Sequence, residues 1–170
     1  METFECILKR KSIRKYKDIK VKEEDIKKIL EAAMAAPSAL NMQPWEFFVV
    51  ENETVQDKIR KVGVGLDRNS TLMIVVCGNK ERFILKDDIN DFWPQDLSAA
   101  IENMLLEATN LGLGSLWSGL YPRMDRSVEV KNILNIEGDI YPLAVVHFGY
   151  MDEEKEGGSK YNESKVHYIK

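Results

Sequence analysis

Between Lys22 and Ala36 the apolar residues Ile26, Ile29, Leu30 and Ala33 recur at the spacing of one buried helix face. Glu23, Glu24 and Asp25 fill the first turn, where carboxylates suit the helix dipole, and Pro37 closes the helix. From Trp45 to Glu51 the run is aromatic and β-branched, which predicts a strand. A short amphipathic helix follows, with Val55, Ile59 and Val62 inward. Leu72 to Cys77 is unbroken apolar sequence and predicts a strand covered on both faces. The strongest helix spans Leu97 to Leu111, with Leu97, Ile101, Met104, Leu105 and Ala108 on one stripe and Gly112 as its stop. Leu116 and Trp117 suggest a third strand, Val128 to Leu134 another short helix, and Tyr141 to Gly149 a last strand. Helices and strands mix without the regular alternation of a doubly wound sheet, so the expected class is α+β. No repeat or low-complexity linker divides the chain, and residues 1–170 are expected to form one domain.

Residues 151–170 break the pattern. They are mostly polar and include the acidic run Asp152-Glu153-Glu154, yet they carry Tyr161, Val166, Tyr168 and Ile169. Such a segment is expected to pack on another surface, with a second subunit the natural choice.

Composition narrows the function classes. Twenty-four Lys and Arg stand against 28 Asp and Glu, a net charge of −4, which argues against nucleic acid as the main partner. The two cysteines, Cys6 and Cys77, both lie in apolar contexts, without a CxxC pair or a His/Cys cluster. They read as free thiols of a reducing compartment, with no zinc site. The N-terminus is too short and acidic for a signal peptide, and no apolar run approaches the ~20 residues of a membrane span. A cytoplasmic location is the expectation.

Three segments hold groups suited to chemistry. Lys9 to Lys15 is mostly basic inside an acidic chain, and its guanidinium groups plus Ser12 suit a phosphate monoester. If helical, it would set Arg10 and Arg14 on one face. A solvated basic face is the plain alternative. Pro37 to Trp45 is a loop bracketed by prolines that presents Ser38, Asn41 and Gln43, neutral hydrogen-bonding groups suited to the edge of a planar heterocycle. Leu111 to Gly119 is rich in glycine and serine but lacks a full dinucleotide fingerprint, and the plain alternative is that its first two glycines simply cap the helix and turn the chain.

Together these segments resemble the nitroreductase family of FMN-dependent oxidoreductases. Arg10-Lys11-Ser12-Ile13-Arg14 is similar to the family's Arg-Arg-Ser-x-Arg signature, and Pro37 to Trp45 to its Pro-Ser-x-x-Asn-x-Gln-Pro-Trp loop. Glu102-Asn103, Gly112-Leu113-Gly114 and Trp117-Ser118-Gly119 resemble its central helix and the turn after it. Tyr141-Pro142-Leu143 and Phe148-Gly149-Tyr150 resemble its last strand, and Lys160-Tyr161 with Val166-His167-Tyr168 its closing segment. The resemblance runs from about Leu8 to the C-terminus.

It implies a mostly antiparallel sheet flanked by helices, and a homodimer with FMN at the subunit interface and tails exchanged. Arg10, Lys11, Ser12 and Lys160 would hold the phosphate and ribityl chain, and Arg14 would lie at the pyrimidine edge. Pro37, Ser38, Ala39 and Asn41 would come from the partner subunit. Trp117, Ser118 and Gly119 would flank the ring, with backbone near Ser118 and Gly119 donating to flavin N5. No side chain need act as acid or base, because the flavin does the chemistry: NADH or NADPH reduces it and an electron-poor nitroaromatic, quinone or flavin takes the electrons in turn. A flavin-binding protein without turnover is the alternative, since fold does not fix function. Reductive dehalogenation or breakdown of the flavin would be a further chemistry on the same fold.

Departures from the family pattern are visible. Leu40 stands where the loop often has glycine, and Met151 where proline usually follows Gly-Tyr. Arg68 is the available basic group before the second strand, and Gly157-Gly158-Ser159 reads as a flexible approach to Lys160. His147 is expected to be structural and His167 a packing or surface residue. Phe92-Trp93-Pro94 is expected to precede the long helix as a lid, a wall or an apolar anchor.

Overall fold

The computed structural model describes residues 1–63, 65–82 and 92–170. In chain order the elements are α1 (Thr3–Lys9), α2 (Glu23–Met34), β1 (Trp45–Val50), α3 (Glu53–Arg60), β2 (Leu72–Asn79), α4 (Trp93–Asn110), β3 (Gly114–Gly119), α5 (Met124–Ile133) and β4 (Ile140–Gly149). The four strands form one antiparallel sheet in the order β1-β2-β4-β3. A shift of register between Val76 and Cys77 marks a bulge in the central pair.

Both faces of the sheet are covered, which explains the apolar monotony of β2: all eight of its residues are buried. On one face α2 and α4 pack Ile26, Ile29, Leu97, Ile101 and Met104 against Leu72, Ile74, Val146 and Phe148. On the other, Ile59 of α3 and Val130 of α5 meet Met73, Val75 and Val145. Alternate residues of one strand thus feed two cores.

Helix α4 starts before the apolar stripe does. Trp93 and Pro94 lie in its first turn, where proline is tolerated because its missing N–H has no intrahelical partner. The expectation that Phe92-Trp93-Pro94 precedes the helix is therefore corrected, and Trp93 is an anchor: it is buried, its ring meets Tyr121 edge-on at 5.0 Å, and it lies so close to Gly78 that a Cβ there would fall 2.4 Å from the indole. At the other end Gly112 adopts φ +77° and terminates the helix as predicted. Gly114 does something different from turning the chain. It opens β3, with Ile13 and Met151 side chains filling the space a Cβ would need.

The basic N-terminal segment is not helical. Helix α1, which the sequence pattern did not signal, ends at Lys9, and the chain then runs extended past Ser12, forming a parallel bridge to Ser115. Ile13 N–H donates to Ser115 O at 2.9 Å, and Tyr16 bridges Met151. Arg10 and Arg14 therefore do not share a helix face.

Candidate active site

Strand β3 is an edge strand, and its outer side builds the site. Ser115 turns its carbonyl outward to Ile13, while Leu120 N–H turns inward to Leu143 O. The alternation of an antiparallel ladder then leaves the N–H groups of Trp117 and Gly119 facing away from β4. Beside them lies an open cleft of about 200 Å³, lined by Arg14, Gly65, Leu66, Arg68 and residues 116–119. The loop at Gly65 is tied down by Ser118, whose hydroxyl donates to Gly65 O at 2.7 Å.

Of the predicted site residues, this cleft gathers Arg14, Trp117, Ser118 and Gly119. It adds Arg68, placed by the turn before β2. Among the described residues Arg68 makes one long ion pair, Nη1 to Asp67 Oδ1 at 3.4 Å, and its Nε is buried without a partner. Two guanidinium groups at one strand edge make the cleft a place for negative charge.

Arg10, Lys11 and Ser12 sit next door, around the start of the tail. Arg10 Nε faces Glu102 at 3.4 Å, Lys11 Nζ donates to Lys155 O, and Lys155 Nζ reaches Ser12 O at 2.9 Å. Glu153 organises this corner: its carboxylate accepts from Lys155 Nζ and from the backbone N–H groups of Arg14 and Lys15. These bonds, the Lys155 ammonium first, hold its carboxyl down at about 2. The sequence marks Glu153 only as part of the acidic run Asp152-Glu153-Glu154 and does not single out Lys155.

The tail is fixed further than the glycines suggested. Asp152 N–H donates to Lys15 O at 3.0 Å and Gly158 N–H to Leu8 O at 3.0 Å. A Cβ on Gly157 would lie 2.3 Å from Leu8 O, so the chain is pressed against the end of α1. Gly157 and Gly158 are thus a docked turn rather than a loose approach, and they leave the exposed Lys160 two residues beyond this contact. After them the apolar side chains lie open, Tyr161 at 72%, Tyr168 at 76% and Ile169 at 100% exposure. His167 is exposed as well.

Pro37, Ser38, Ala39 and Asn41 do not line the cleft. Their loop closes on itself and on α4: Gln43 N–H donates to Ser38 Oγ, Gln43 Nε2 to Asn41 Oδ1, and Ala39 N–H to the buried Asp96 carboxylate, each at 2.9 Å. Leu40, Asn41 and Gln43 all have positive φ, at 51°, 55° and 49°. The position where the resemblance expects glycine is thus one whose backbone favours glycine, yet Leu40 occupies it with its side chain 77% exposed.

Behind the cleft is a buried polar group of residues. His147, fully buried in β4, meets Ser70 Oγ through Nδ1 at 2.9 Å. Burial, with Arg60 and Arg68 nearby, pushes its imidazole down to about 3, so it is neutral at physiological pH and structural. Burial likewise pushes both the Cys6 and Cys77 thiols up, which disfavours their thiolate forms. Among the described residues no helix is long and apolar enough to cross a membrane.

Comparison with known proteins gives this arrangement a lineage. The model of the "Nitroreductase family" matches residues 7–64 and 64–150. A protein of Archaeoglobus fulgidus named "Putative NADH dehydrogenase/NAD(P)H nitroreductase" is 41% identical over 172 residues, spanning 98% of this chain and 97% of its own. The solved FMN-dependent nitroreductase of Clostridium difficile R20291 superposes with a TM-score of 0.87 at 33% identity, covering 97% of this chain and 98% of that one. A Desulfovibrio desulfuricans structure, "a putative nitroreductase in complex with FMN", superposes with a TM-score of 0.85 at 25% identity over 100% of this chain and 98% of its own. With the match running through both halves of the fold and nearly full overlap with these relatives, this chain belongs to the nitroreductase family.

Proposed function

We propose that this protein is an FMN-dependent oxidoreductase that uses NADH or NADPH to reduce an electron-poor small molecule, with two copies sharing each flavin. The observation that carries the proposal is the cleft at the outer edge of β3, where Arg14 and Arg68 stand beside outward N–H groups. Its donor set fits the group: cations and N–H donors for the oxygen- and nitrogen-rich rim of a flavin, and a neighbouring basic corner for a phosphate. The buried, unpartnered Nε of Arg68 is an available donor at this edge. Relatives described as FMN-dependent, and one solved with FMN, support the same choice.

Each residue's work follows from its place. Arg14 and Arg68 stabilise negative charge on the side of the ring facing them. Gly119 N–H, fixed by the ladder, donates at a stated direction without reorganising. Arg10, Lys11, Ser12 and Lys160 hold the phosphate end. Bound FMN supplies hydride transfer, taking two electrons from NADH or NADPH and giving them to a nitroaromatic, a quinone or a free flavin. The two substrates alternate on one open face, a ping-pong arrangement.

The dimer is proposed on two grounds. A cleft of about 200 Å³ is smaller than the ~300–1,000 Å³ of sites that enclose a ligand of this size, so a second wall is needed. The open tail and the Pro37–Asn41 loop are apolar or hydrogen-bonding surfaces that would supply it from another copy. The cytoplasm, where both nicotinamide nucleotides and reduced thiols are kept, is the proposed location.

An anaerobic visible spectrum of the purified protein, loaded with FMN and titrated with NADH and then NADPH, is the test. A flavin band that bleaches within the dead time of mixing supports the oxidoreductase. A band that persists with both donors replaces it with a flavin carrier, and failure to take up FMN at all rejects the site.

A further inference from the structure

Arg60 is the last residue of α3 and does not line the cleft, yet two of its four side-chain hydrogen bonds go to the loop carrying Arg68 and two to its own helix. Nε donates to Arg68 O at 2.7 Å and Nη2 to Ser70 O at 3.0 Å. Nη2 also meets Gln56 Oε1 at 2.9 Å, and Nη1 meets Asp57 Oδ1 at 2.6 Å. Gln56 is buried, and its amide is oriented by necessity: Nε2 donates to Val50 O at 2.8 Å and Thr71 O at 3.2 Å, which leaves only the oxygen for the guanidinium. One planar cation thus bridges two carbonyls of a loop, with a buried amide and a carboxylate holding it in plane.

The rest of that loop is anchored elsewhere. Asn69 exchanges two bonds with the backbone of Tyr16, Ser70 Oγ meets His147, and Thr71 Oγ1 donates to Ile19 O. Arg68 is the exception. Among the described residues its side chain makes only the 3.4 Å pair with Asp67, so the direction it leaves the backbone decides where its charge sits. That direction is set at its own backbone, where the N–H donates to Leu66 O at 2.9 Å and Arg60 grips the carbonyl.

We infer that Arg60 is a positioning residue: by gripping the Arg68 and Ser70 carbonyls it holds the Arg68 guanidinium beside Arg14 in the cleft. This rests on the flavin reading of that cleft. Arg60 also carries a charge of its own, so what separates positioning from its direct field is non-additivity with Arg68.

The experiment is a double-mutant cycle on the full-length protein, using Arg60→Met, Arg68→Met and the double variant. The readouts are the FMN dissociation constant, from quenching of flavin fluorescence, and the reduction potential of the bound flavin. Loss of the Arg68 charge weakens FMN about tenfold and lowers the potential. Arg60→Met does the same in direction, by about three- to tenfold, and adds nothing in the Arg68→Met background. Equal effects of Arg60→Met in both backgrounds, or unchanged affinity and potential in a stably folded Arg60→Met protein, overturn the inference. Unchanged values in Arg68→Met overturn the flavin reading with it. Should Arg60→Met fail to fold, Asp57→Asn, at an exposed carboxylate that steers the same guanidinium, takes its place with a smaller effect and the same required coupling.

Discussion

Two irregular segments, residues 10–17 and 159–170, are both assigned to the phosphate end of one ligand, and they could hardly be built more differently. The first is held from several sides: by Ser115 at Ile13, by Glu153 at Arg14 and Lys15, by Asn69 at Tyr16 and by Tyr150 at Lys17. Tyr16 is buried and its hydroxyl donates to Ile13 O at 2.6 Å, closing the segment on itself. The second segment has its tyrosines and isoleucine in the open. A strand without helix or ladder can therefore be rigid if neighbouring elements satisfy its backbone, whereas the tail has the composition of a packed segment with its apolar side chains left exposed among the described residues. The contrast locates where this chain is complete and where the proposed second copy begins.

The strongest way to break that contrast is to remove residues 159–170. Analytical ultracentrifugation is expected to show loss of the dimer, and FMN affinity is expected to fall ~100-fold, equivalent to about 2.7 kcal/mol. Far-UV circular dichroism should remain close to that of the full chain, because no strand or α-helix lies beyond Gly149. A dimer that survives the truncation would mean that the tail is not its clasp. Next in size is Gly157→Ala. A Cβ would strike the Leu8 carbonyl, so the tail must lift from α1, at a cost of ~1–3 kcal/mol in stability. Thermal melting and FMN titration together check it: both should fall, since Lys160 is displaced with the turn.

Glu153→Gln sharpens the other half of the comparison. The folded carboxyl titrates at about 2 against an ordinary value of 4.5, so its ionic bonds stabilise the fold fully above pH 4.5 and are lost as pH falls to about 2. In the variant, the pH dependence of stability measured by urea unfolding should be shallower across that window, and stability at pH 7 lower. Parallel pH curves for the two proteins would show that Glu153 holds nothing. The smallest effect is expected at Leu40→Gly, which relieves a left-handed backbone at an exposed site and raises the melting temperature by about 2–4 °C, worth ~1 kcal/mol.

Much of this architecture was legible from spacing alone. The stripe of α4, the unbroken apolar run of β2 and the stop at Gly112 each follow from one-dimensional patterns that burial imposes. Helix α1 escaped because it is only about two turns long and buries only Cys6, so it has no stripe to read. The site was legible in part: Arg14 and Trp117–Gly119 do converge, and the basic corner forms beside them. The grip of Arg60 on Arg68 was invisible, because it runs through backbone carbonyls that no residue type announces. Glu153 was hidden differently, inside a charge run whose other members face solvent.

The outer edge of β3 bears on solubility as well. An unpaired strand edge is a template on which another strand can add, and long apolar edges seed aggregation. Here Ser12 and Ile13 occupy one end of the edge, and Ser118 draws the Gly65 turn against the other. What stays open is the outward backbone of Trp117 and Gly119, enough to direct hydrogen bonds at a small planar molecule and too short to recruit a strand. The chain keeps two backbone N–H donors on display without offering misfolded neighbours a seam to extend.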